Sequence, residues 1–188
     1  MSYSEDFLID VKRSIDNLSL IDIDSMVDLL VTSCDIGRLF IIGSGGGAGH
    51  ASHAVCDFRK LCNCEAYAPY DNVSELTART NDDGWKDTIT SWLKVSKFDG
   101  YDTLMVISVG GGQTGVSENL VNAILYAKEK GAKVCSVIGR KDSIAGQYSD
   151  VSIVIQTENT TPIVEGLQAV IWHLIVTHPK LKKSATKW

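Results

Sequence analysis

Four side chains that can move protons or bind a metal ion stand in two pairs at helical spacings. His53 and Asp57 are four residues apart in "GHASHAVCDF", so on a helix they share one face and can converge on one ligand or metal ion. Glu165 and His173 are eight residues apart. They would lie about 80° apart around a helix, so their long side chains can reach one pocket. The spacing therefore predicts two helices that each contribute one imidazole and one carboxylate.

Each pair also has a structural explanation. A histidine on a helix is more often structural or solvent-facing than catalytic, and an acid in a first helical turn, such as Glu165, is favoured by the helix dipole. His173 stands among apolar residues in "AVIWHLIV", where an imidazole must find a polar partner. His173 is therefore either a core histidine with a hydrogen-bond partner or a residue of the functional site.

Two glycine-rich segments follow strand-like runs. "GSGGGAG" follows "RLFII", and "SVGGGQTGVSEN" follows "TLMVI". Glycine allows positive φ and close approach of the backbone to a ligand, and a following helix offers free N–H groups to an anion. The second segment adds the hydroxyl groups of Ser108, Thr114 and Ser117, which suit a terminal phosphate. A tight strand-to-helix turn without a ligand is the structural alternative.

The first glycine segment also fits a dinucleotide-binding fingerprint. Gly43, Gly45 and Ala48 match Gly-x-Gly-x-x-Ala, and Glu65 follows 22 residues after Gly43, where an acid would meet a ribose. A dinucleotide needs one such turn, however, and this chain has two, with no room for a separate substrate domain. We therefore expect a small phosphorylated ligand and no nucleotide cofactor, and a dinucleotide-dependent oxidoreductase is the weaker hypothesis.

Alternating strand-like and helical segments must position these groups. Amphipathic helices at about 4–18 and 21–35 precede the first strand. Five short β-rich runs then alternate with helices, up to a last helix at about 162–177 with Thr161 as its N-cap. This order predicts a three-layer α/β/α sandwich with a five-stranded parallel sheet and two extra N-terminal helices. Ligands of such sheets bind at the carboxyl ends of the strands, where both glycine segments stand.

Composition narrows the class of protein. The chain has 188 residues, of which 44% are hydrophobic and 22% charged, as in a soluble globular domain. A net charge of -5 gives no electrostatic reason to expect nucleic acid. No apolar run reaches the roughly 18 residues of a membrane span, and the N-terminus lacks the features of a secretory signal, so we expect a cytoplasmic protein.

The cysteines predict reduced, mostly buried thiols. They are odd in number and scattered, unlike a disulfide framework: Cys34, Cys56, Cys62, Cys64 and Cys135. The basic C-terminal segment "KLKKSATK" is expected to be a solvated, frayed terminus.

Nearly the whole chain resembles the sugar isomerase (SIS) domain family, and within it the phosphoheptose isomerases. The resemblance rests on the two N-terminal helices and on "GSGGGAGHASHAVCDF", "SELTARTNDDGW", "VISVGGG", "SVIGRKDS" and "TPIVEGLQAVIWHLI". It implies one flavodoxin-like SIS domain over 1–188. Within it, 1–35 would form the N-terminal helices at an oligomer interface, 36–178 the sandwich and 179–188 a tail.

The resemblance also implies an activity. It is the interconversion of sedoheptulose 7-phosphate and D-glycero-D-manno-heptose 7-phosphate through an enediol, in bacterial surface heptose (lipopolysaccharide or capsule) biosynthesis. His173 and Asp57 would be the acid/base pair, and either Asp57 or Glu165 could be the base. In some relatives the positions that match His53, Asp57, Glu165 and His173 bind zinc, and the family is usually a homotetramer with sites near subunit interfaces. The implied substrate-binding residues are Ser44, Gly45, Gly46, Asp82, Ser108, Gly110, Gly111, Gly112, Thr114, Ser117 and Gln168.

Several positions depart from the family pattern. The family typically has glutamate at Asp57, glutamine at Glu165 and serine at Gly47. Its phosphate loop is a compact Ser-Thr-Ser-Gly-Asn-Ser, whereas "SVGGGQTGVSEN" is longer and poorer in hydroxyl groups. A non-catalytic phosphosugar-binding module that senses or regulates is the alternative function. Two histidines with two acids favour the enzyme, because a sensor needs no acid/base pair.

Overall fold

The computed structural model describes residues 2–185, which begin with two helices outside the sheet. Helix α1 (Tyr3–Asp16) and helix α2 (Leu20–Ile36) lie within two residues of the predicted ranges. Each begins at a serine N-cap, because the side chains of Ser2 and Ser19 accept hydrogen bonds from backbone amides of the first turn.

Five parallel strands form one sheet in the order β2-β1-β3-β4-β5, which is the flavodoxin-like order. The strands are β1 (Leu39–Gly43), β2 (Ala66–Tyr67), β3 (Thr103–Ser108), β4 (Lys133–Ile138) and β5 (Val151–Val154). The strand order reverses between β1 and β3, and ligands of such sheets bind in the crevice at this reversal. Both glycine segments follow the two strands that flank it. The predicted fold class is confirmed.

Helices cover both faces of the sheet. They are α3 (Gly46–Cys62), α4 (Val73–Asp82), α5 (Thr88–Val95), α6 (Glu118–Glu129), α7 (Ile144–Tyr148) and α8 (Thr160–Thr177), with a 3₁₀ turn at Trp85–Asp87. Helices α2, α3 and α8 pack on one face and α5, α6 and α7 on the other, around two separate apolar cores. Within residues 2–185 no helix is both long enough and apolar enough to cross a membrane.

The start of α8 differs from the prediction. Its N-cap is Asn159 rather than Thr161. The backbone and side-chain nitrogens of Asn159 donate to Asp10 of α1 at 3.2 and 3.0 Å, and Thr157 donates to the same carboxylate at 2.8 Å. This contact with α1 fixes the segment before α8, and local sequence signals do not contain it.

The expectation of reduced thiols is wrong for one pair. Cys34 and Cys64 form a disulfide that joins the last turn of α2 to the segment after α3, across a sequence separation of 30 residues. Their Cα atoms lie 4.8 Å apart because the two helices end side by side. Of the other cysteines, Cys62 and Cys135 are buried and Cys56 is exposed.

The predicted frayed C-terminus is also wrong for its first residues. Leu181 is 1% exposed and belongs to the core beneath α2, α3 and α8. The amides of Lys183 and Ser184 both donate to the carbonyl of Leu61, at 2.8 and 2.9 Å. The segment up to residue 185 is therefore packed on α3, and 186–188 lie outside the described residues.

Candidate active site

Helices α3 and α8 bring three of the four predicted side chains together. His53 and Asp57 come from α3 and His173 from α8, and their ligand atoms all lie within 4.8 Å of one another. Oδ2 of Asp57 is 3.9 Å from Nε2 of His53 and 3.8 Å from Nε2 of His173. The predicted convergence of the two helices therefore occurs, with the carboxylate between the imidazoles.

The orientation of His173 follows from one hydrogen bond. Its Nδ1 lies 2.7 Å from the carbonyl oxygen of Ala169. A carbonyl oxygen only accepts, so Nδ1 carries a hydrogen and Nε2 of the neutral ring keeps its lone pair toward Asp57. The distance of 3.8 Å is too long for a direct hydrogen bond. Nε2 can therefore accept a proton or bind an ion, and about half of this side chain (49%) is exposed to a ligand.

Trp172 positions both imidazoles, and the sequence reasoning missed it. This side chain is 1% exposed. Its ring stacks on His173 with centroids 3.5 Å apart and meets His53 edge-on at 4.7 Å. Its place directly before His173 was a signal that could have identified it. The apolar ring forms the inner wall of the cluster.

The three side chains fit a divalent ion chemically. Two imidazole nitrogens and a carboxylate oxygen are donors that zinc accepts, and zinc bond lengths would place tetrahedral ligand atoms about 3.3–3.5 Å apart. The observed separations from Asp57, 3.8 and 3.9 Å, exceed that range by a few tenths of an ångström. Small side-chain rotations of His53 and His173 would close this difference.

Glu165 lies at the first glycine segment rather than in this cluster. A Cβ added at Gly46 would lie 2.6–2.7 Å from the carboxylate atoms of Glu165. Gly46 is the first residue of α3, so the carboxylate rests against the amino-terminal end of that helix, where the helix dipole favours an anion. Its role as a base or metal ligand stays a prediction.

The first glycine segment is closely packed. A Cβ at Gly43 would lie 2.3 Å from the backbone of Gly47, and one at Gly47 would lie 2.2 Å from the carbonyl oxygen of Ile107 in β3. This contact leaves no room at residue 47 for the serine expected from the family pattern. Glycine at these positions allows α3 to start directly against β3.

Tyr70, after β2, fixes the end of β1. Its hydroxyl donates to the carbonyl of Gly43 and accepts from the amide of the same residue, at 3.0 Å for the second contact. Burial raises the pKa of the Tyr70 hydroxyl, so it remains protonated and can keep donating. The sequence reasoning missed this residue, and no signal in the sequence pointed to it.

Cys62 lies below the cluster at the end of α3. It is buried, and its thiol donates to the carbonyl of Val176 in α8 at 3.5 Å. Burial, with a smaller contribution from the charge of Asp57, raises the pKa of this thiol to about 11. Cys62 is therefore a neutral packing residue between the two helices of the cluster.

The second glycine segment has a different construction. Ser108 accepts a hydrogen bond from the amide of Gly111 at 3.1 Å, so its hydroxyl braces the turn. Gln113 and Val116 exchange two backbone hydrogen bonds of 3.0 Å across a short turn. That turn leads to Ser117, the N-cap of α6.

The glycines of this second segment are needed for their backbone conformation. Gly111, Gly112 and Gly115 have φ values of 66°, 78° and 82°. Residues other than glycine rarely adopt backbone angles in this left-handed region. Around Gly110 and Gly115 an added Cβ would find nothing within 4 Å, so the turn is open there. Thr114 is exposed on the same turn.

Two buried polar side chains beside the glycine segments lack partners. The hydroxyl of Ser44 and both amide atoms of Asn119, in the first turn of α6, find no hydrogen-bond partner within residues 2–185. Asn119 is fully buried. An unpartnered buried amide calls for an explanation, and a ligand that enters the crevice is one. The sequence reasoning named Ser44 and missed Asn119.

Three other predicted substrate-binding residues lie apart from the cluster. Asp82 is exposed at the end of α4 and accepts from the side chain of Asn81 at 2.7 Å. Gln168 is fully buried and donates to the carbonyl of Val137 in β4 at 2.9 Å. Gly45 precedes α3 with a φ of 57° and open space around it. Their contact with a substrate stays a prediction.

The structure argues against the dinucleotide hypothesis. The carbonyl of Glu65 accepts from the amide of Leu39, the first residue of β1, at 2.9 Å. Glu65 therefore lies at the amino edge of the sheet, whereas Gly43 and the rest of the glycine fingerprint lie at the carboxyl edge. An acid at the far end of the strands cannot meet a ribose held at the first glycine segment.

Comparisons with known proteins identify relatives in sequence and in fold. The sequence pattern of the SIS domain matches residues 96–178. The lincomycin biosynthesis protein LmbN of Streptomyces lincolnensis is 35% identical over 158 residues, which cover 76% of this chain and 56% of that protein, so the chain spans little more than half of its length.

Two further comparisons point to one named enzyme type. A phosphoheptose isomerase of Geotalea daltonii is 27% identical over 162 residues, which cover 83% of this chain and 79% of that protein. The structure of phosphoheptose isomerase GmhA from Neisseria gonorrhoeae superposes with a TM-score of 0.77 at 22% identity, over 89% of this chain and 91% of that one. This superposition shows a common fold.

Proposed function

The chain belongs to the SIS domain family, and on that premise we propose that it is a phosphosugar isomerase. Its first candidate reaction converts sedoheptulose 7-phosphate to D-glycero-D-manno-heptose 7-phosphate in bacterial surface heptose biosynthesis, because relatives are named phosphoheptose isomerases. The observation that carries the proposal is the cluster of His53, Asp57 and His173 between α3 and α8.

This reaction moves one proton between adjacent carbons and needs no oxidant or reductant. A base takes the proton from the hydroxyl-bearing carbon beside the ketone, and the C–H electron pair forms the enediol double bond while the carbonyl oxygen gains a proton. An acid then gives a proton to the former carbonyl carbon, and the neighbouring hydroxyl loses its proton to become the aldehyde. Overall, the substrate keeps all of its atoms and electrons.

His173 and Asp57 are the pair that we assign to these proton transfers. Nε2 of His173 lies 3.8 Å from Oδ2 of Asp57, and Trp172 stacks on the imidazole. The side chain of Asp57 is only 12% exposed, so the pair is shielded on one side and open to a substrate on the other. Glu165 is the second candidate for the base.

A divalent ion such as zinc would be held by His53, Asp57 and His173. Glu165, which lies at Gly46, would have to move toward the cluster to become a fourth ligand. When bound, such an ion polarises the substrate carbonyl as a Lewis acid. The donor types support this assignment. The ligand atoms lie within 4.8 Å of one another, so the imidazoles would have to move closer together to bind an ion.

A homotetramer with sites near subunit interfaces is part of the proposal. Apolar side chains of the two N-terminal helices support it: Leu8 is 65% exposed, Leu20 72% and Ile21 79%. Large exposed apolar side chains are a feature of surfaces that bind another protein chain. A cytoplasmic location is proposed from the phosphorylated substrate alone.

Turnover of sedoheptulose 7-phosphate, followed by NMR with and without added zinc, tests the proposed function. We expect conversion by the wild-type chain and conversion at least about 10²-fold slower by His173→Ala. The matched control is His178→Ala, which removes a histidine at the end of the same helix but outside the cluster. Binding of the sugar phosphate without turnover would contradict the isomerase and favour a phosphosugar-binding sensor module.

A further inference from the structure

The second glycine segment lacks a positive charge of its own. Residues 109–117, between β3 and α6, contain no lysine or arginine. A phosphate monoester carries a charge of about −1.5 to −2 at pH 7. Glycine amides and hydroxyl groups can hydrogen-bond this group, and a cation beside them strengthens the contact because charge-assisted hydrogen bonds are roughly twice as strong.

The neighbouring strand places a cation beside this segment. β3 and β4 are parallel, and the amide of Gly139 donates to the carbonyl of Val109 at 3.0 Å, which continues the pairing past the strand ends. Arg140 follows Gly139 after β4, and Gly110 follows Val109 after β3. Arg140 therefore leaves the sheet directly beside the open part of the second glycine segment.

The start of α7 fixes the two segments to each other. The amides of Ile144 and Ala145 donate to the carbonyls of Gly112 and Gly111, at 3.0 and 2.9 Å. A Cβ at Gly111 would lie 2.1 Å from the hydroxyl oxygen of Ser143, so no larger residue fits there without a shift. These contacts hold the backbone of the glycine segment against the segment that carries Arg140.

Side-chain contacts extend this connection to the tip of the turn. In the amide orientation that satisfies both groups, the side-chain oxygen of Gln113 accepts from both terminal nitrogens of Arg140, at 3.1 and 3.2 Å. Gln113 is tied to Val116 by its two backbone hydrogen bonds. The guanidinium therefore lies against the turn that displays Thr114.

The present ionic partner of Arg140 is weakly held. Two of its nitrogens donate to Asp142 at 3.2 and 2.9 Å. The side chains of this pair are 47% and 71% exposed, and solvent screens the attraction of an ion pair this exposed. A phosphate offers the planar guanidinium the same forked contact with a larger charge.

We infer that Arg140 binds the phosphate group of the substrate at the second glycine segment and releases Asp142 when it does so. This inference rests on the proposed function. Arg140 would then select phosphorylated sugars over uncharged ones. The additional residues of the second glycine segment would serve to place Gln113 against the guanidinium. Asp142 competes with the phosphate for the same nitrogens.

Titration of the protein with inorganic phosphate at low salt, followed by calorimetry, tests this without relying on catalysis. Arg140→Gln should weaken phosphate binding about 10-fold or more, as expected for the loss of hydrogen bonds to a charged group. Asp142→Asn should strengthen it, because the competitor is removed. Lys133→Gln is the control: it removes one positive charge at the opposite end of β4, where Lys133 pairs with Asp150.

Equal phosphate affinity in wild type and Arg140→Gln would overturn the assignment, and so would the absence of phosphate binding by the wild type. The test is independent of the isomerase proposal. A chain that binds phosphate through Arg140 but leaves sedoheptulose 7-phosphate unchanged would refute the isomerase and keep this site. An active isomerase whose phosphate affinity is the same with and without Arg140 would support the isomerase and refute this site.

Discussion

The glycine segment after β1 is closely packed, whereas the one after β3 is open at its tip. In the first, Gly43 and Gly47 leave no room for a Cβ, and the carboxylate of Glu165 rests on Gly46. In the second, nothing lies within 4 Å of a Cβ added at Gly110 or Gly115. Most glycines of the first segment are therefore needed for close packing and most of the second for positive φ. Each segment also holds exceptions: Gly45 has a φ of 57° in open space, and Gly111 packs against Ser143.

This difference assigns a separate task to each region. Close packing at the first segment brings α3 against β3 and presents the side chains of His53 and Asp57 toward α8. Positive φ values at the second segment shape a turn that exposes backbone amides and Thr114. The first region is suited to proton transfer and the second to anion binding.

The largest predicted effect separates the two regions by their kinetics. His173→Ala should lower kcat about 10²–10⁴-fold, the usual contribution of a positioned acid or base. Thr114→Ala should instead raise KM with little change in kcat, because it removes a contact that is equal in the ground and transition states. Steady-state kinetics on sedoheptulose 7-phosphate measure both values. A kcat loss in Thr114→Ala as large as that in His173→Ala would remove the distinction.

The second prediction concerns stability. Gly47→Ala should destabilise the fold by about 3 kcal/mol, because its Cβ would overlap the backbone of β3. Gly115→Ala should cost only about 1 kcal/mol, from its positive φ of 82°. Gly49→Ala, within α3 and with open space around it, is the control and should be stabilising by up to about 1 kcal/mol. Urea denaturation measures all three, and equal losses in Gly47→Ala and Gly115→Ala would contradict the packing difference.

The third and smallest prediction tests the link between β1 and Tyr70. Tyr70→Phe leaves the amide and carbonyl of Gly43 without their shared partner, which should cost about 1–2 kcal/mol. Phosphate affinity at the second segment should not change. Tyr101→Phe, at a ring that is 72% exposed, is the control. A change in phosphate affinity without a loss of stability would show that the two regions are coupled.

Much of the fold and part of the site were predictable from local patterns. The alternation of five strands with helices along the chain follows from hydrophobic periodicity. The four-residue spacing of His53 and Asp57 identified their common helix face. Their meeting with His173 was implied by the family resemblance, since spacing alone relates residues within one helix. The features that periodicity and spacing predict depend on residues that are close in sequence.

The remaining features depend on contacts between distant segments. Glu165 lies at Gly46 rather than at the histidines because α8 packs along α3, and the eight residues between Glu165 and His173 rise about 12 Å along the helix. The sequence reasoning considered only the angle around the helix and not this rise. The pairing of Cys34 with Cys64 depends on where two helices end relative to each other. Arg140 reaches the glycine segment only through the register of β3 with β4.

Deuterium incorporation during turnover tests most directly whether the cluster of α3 and α8 performs proton transfer. Wild-type protein and sedoheptulose 7-phosphate in deuterated water should yield aldose that carries deuterium on the former carbonyl carbon, because the enediol route draws that proton from a group that exchanges with solvent. His173→Ala should bind the sugar phosphate and incorporate none. Incorporation by His173→Ala at the wild-type rate would contradict the assignment of proton transfer to this cluster.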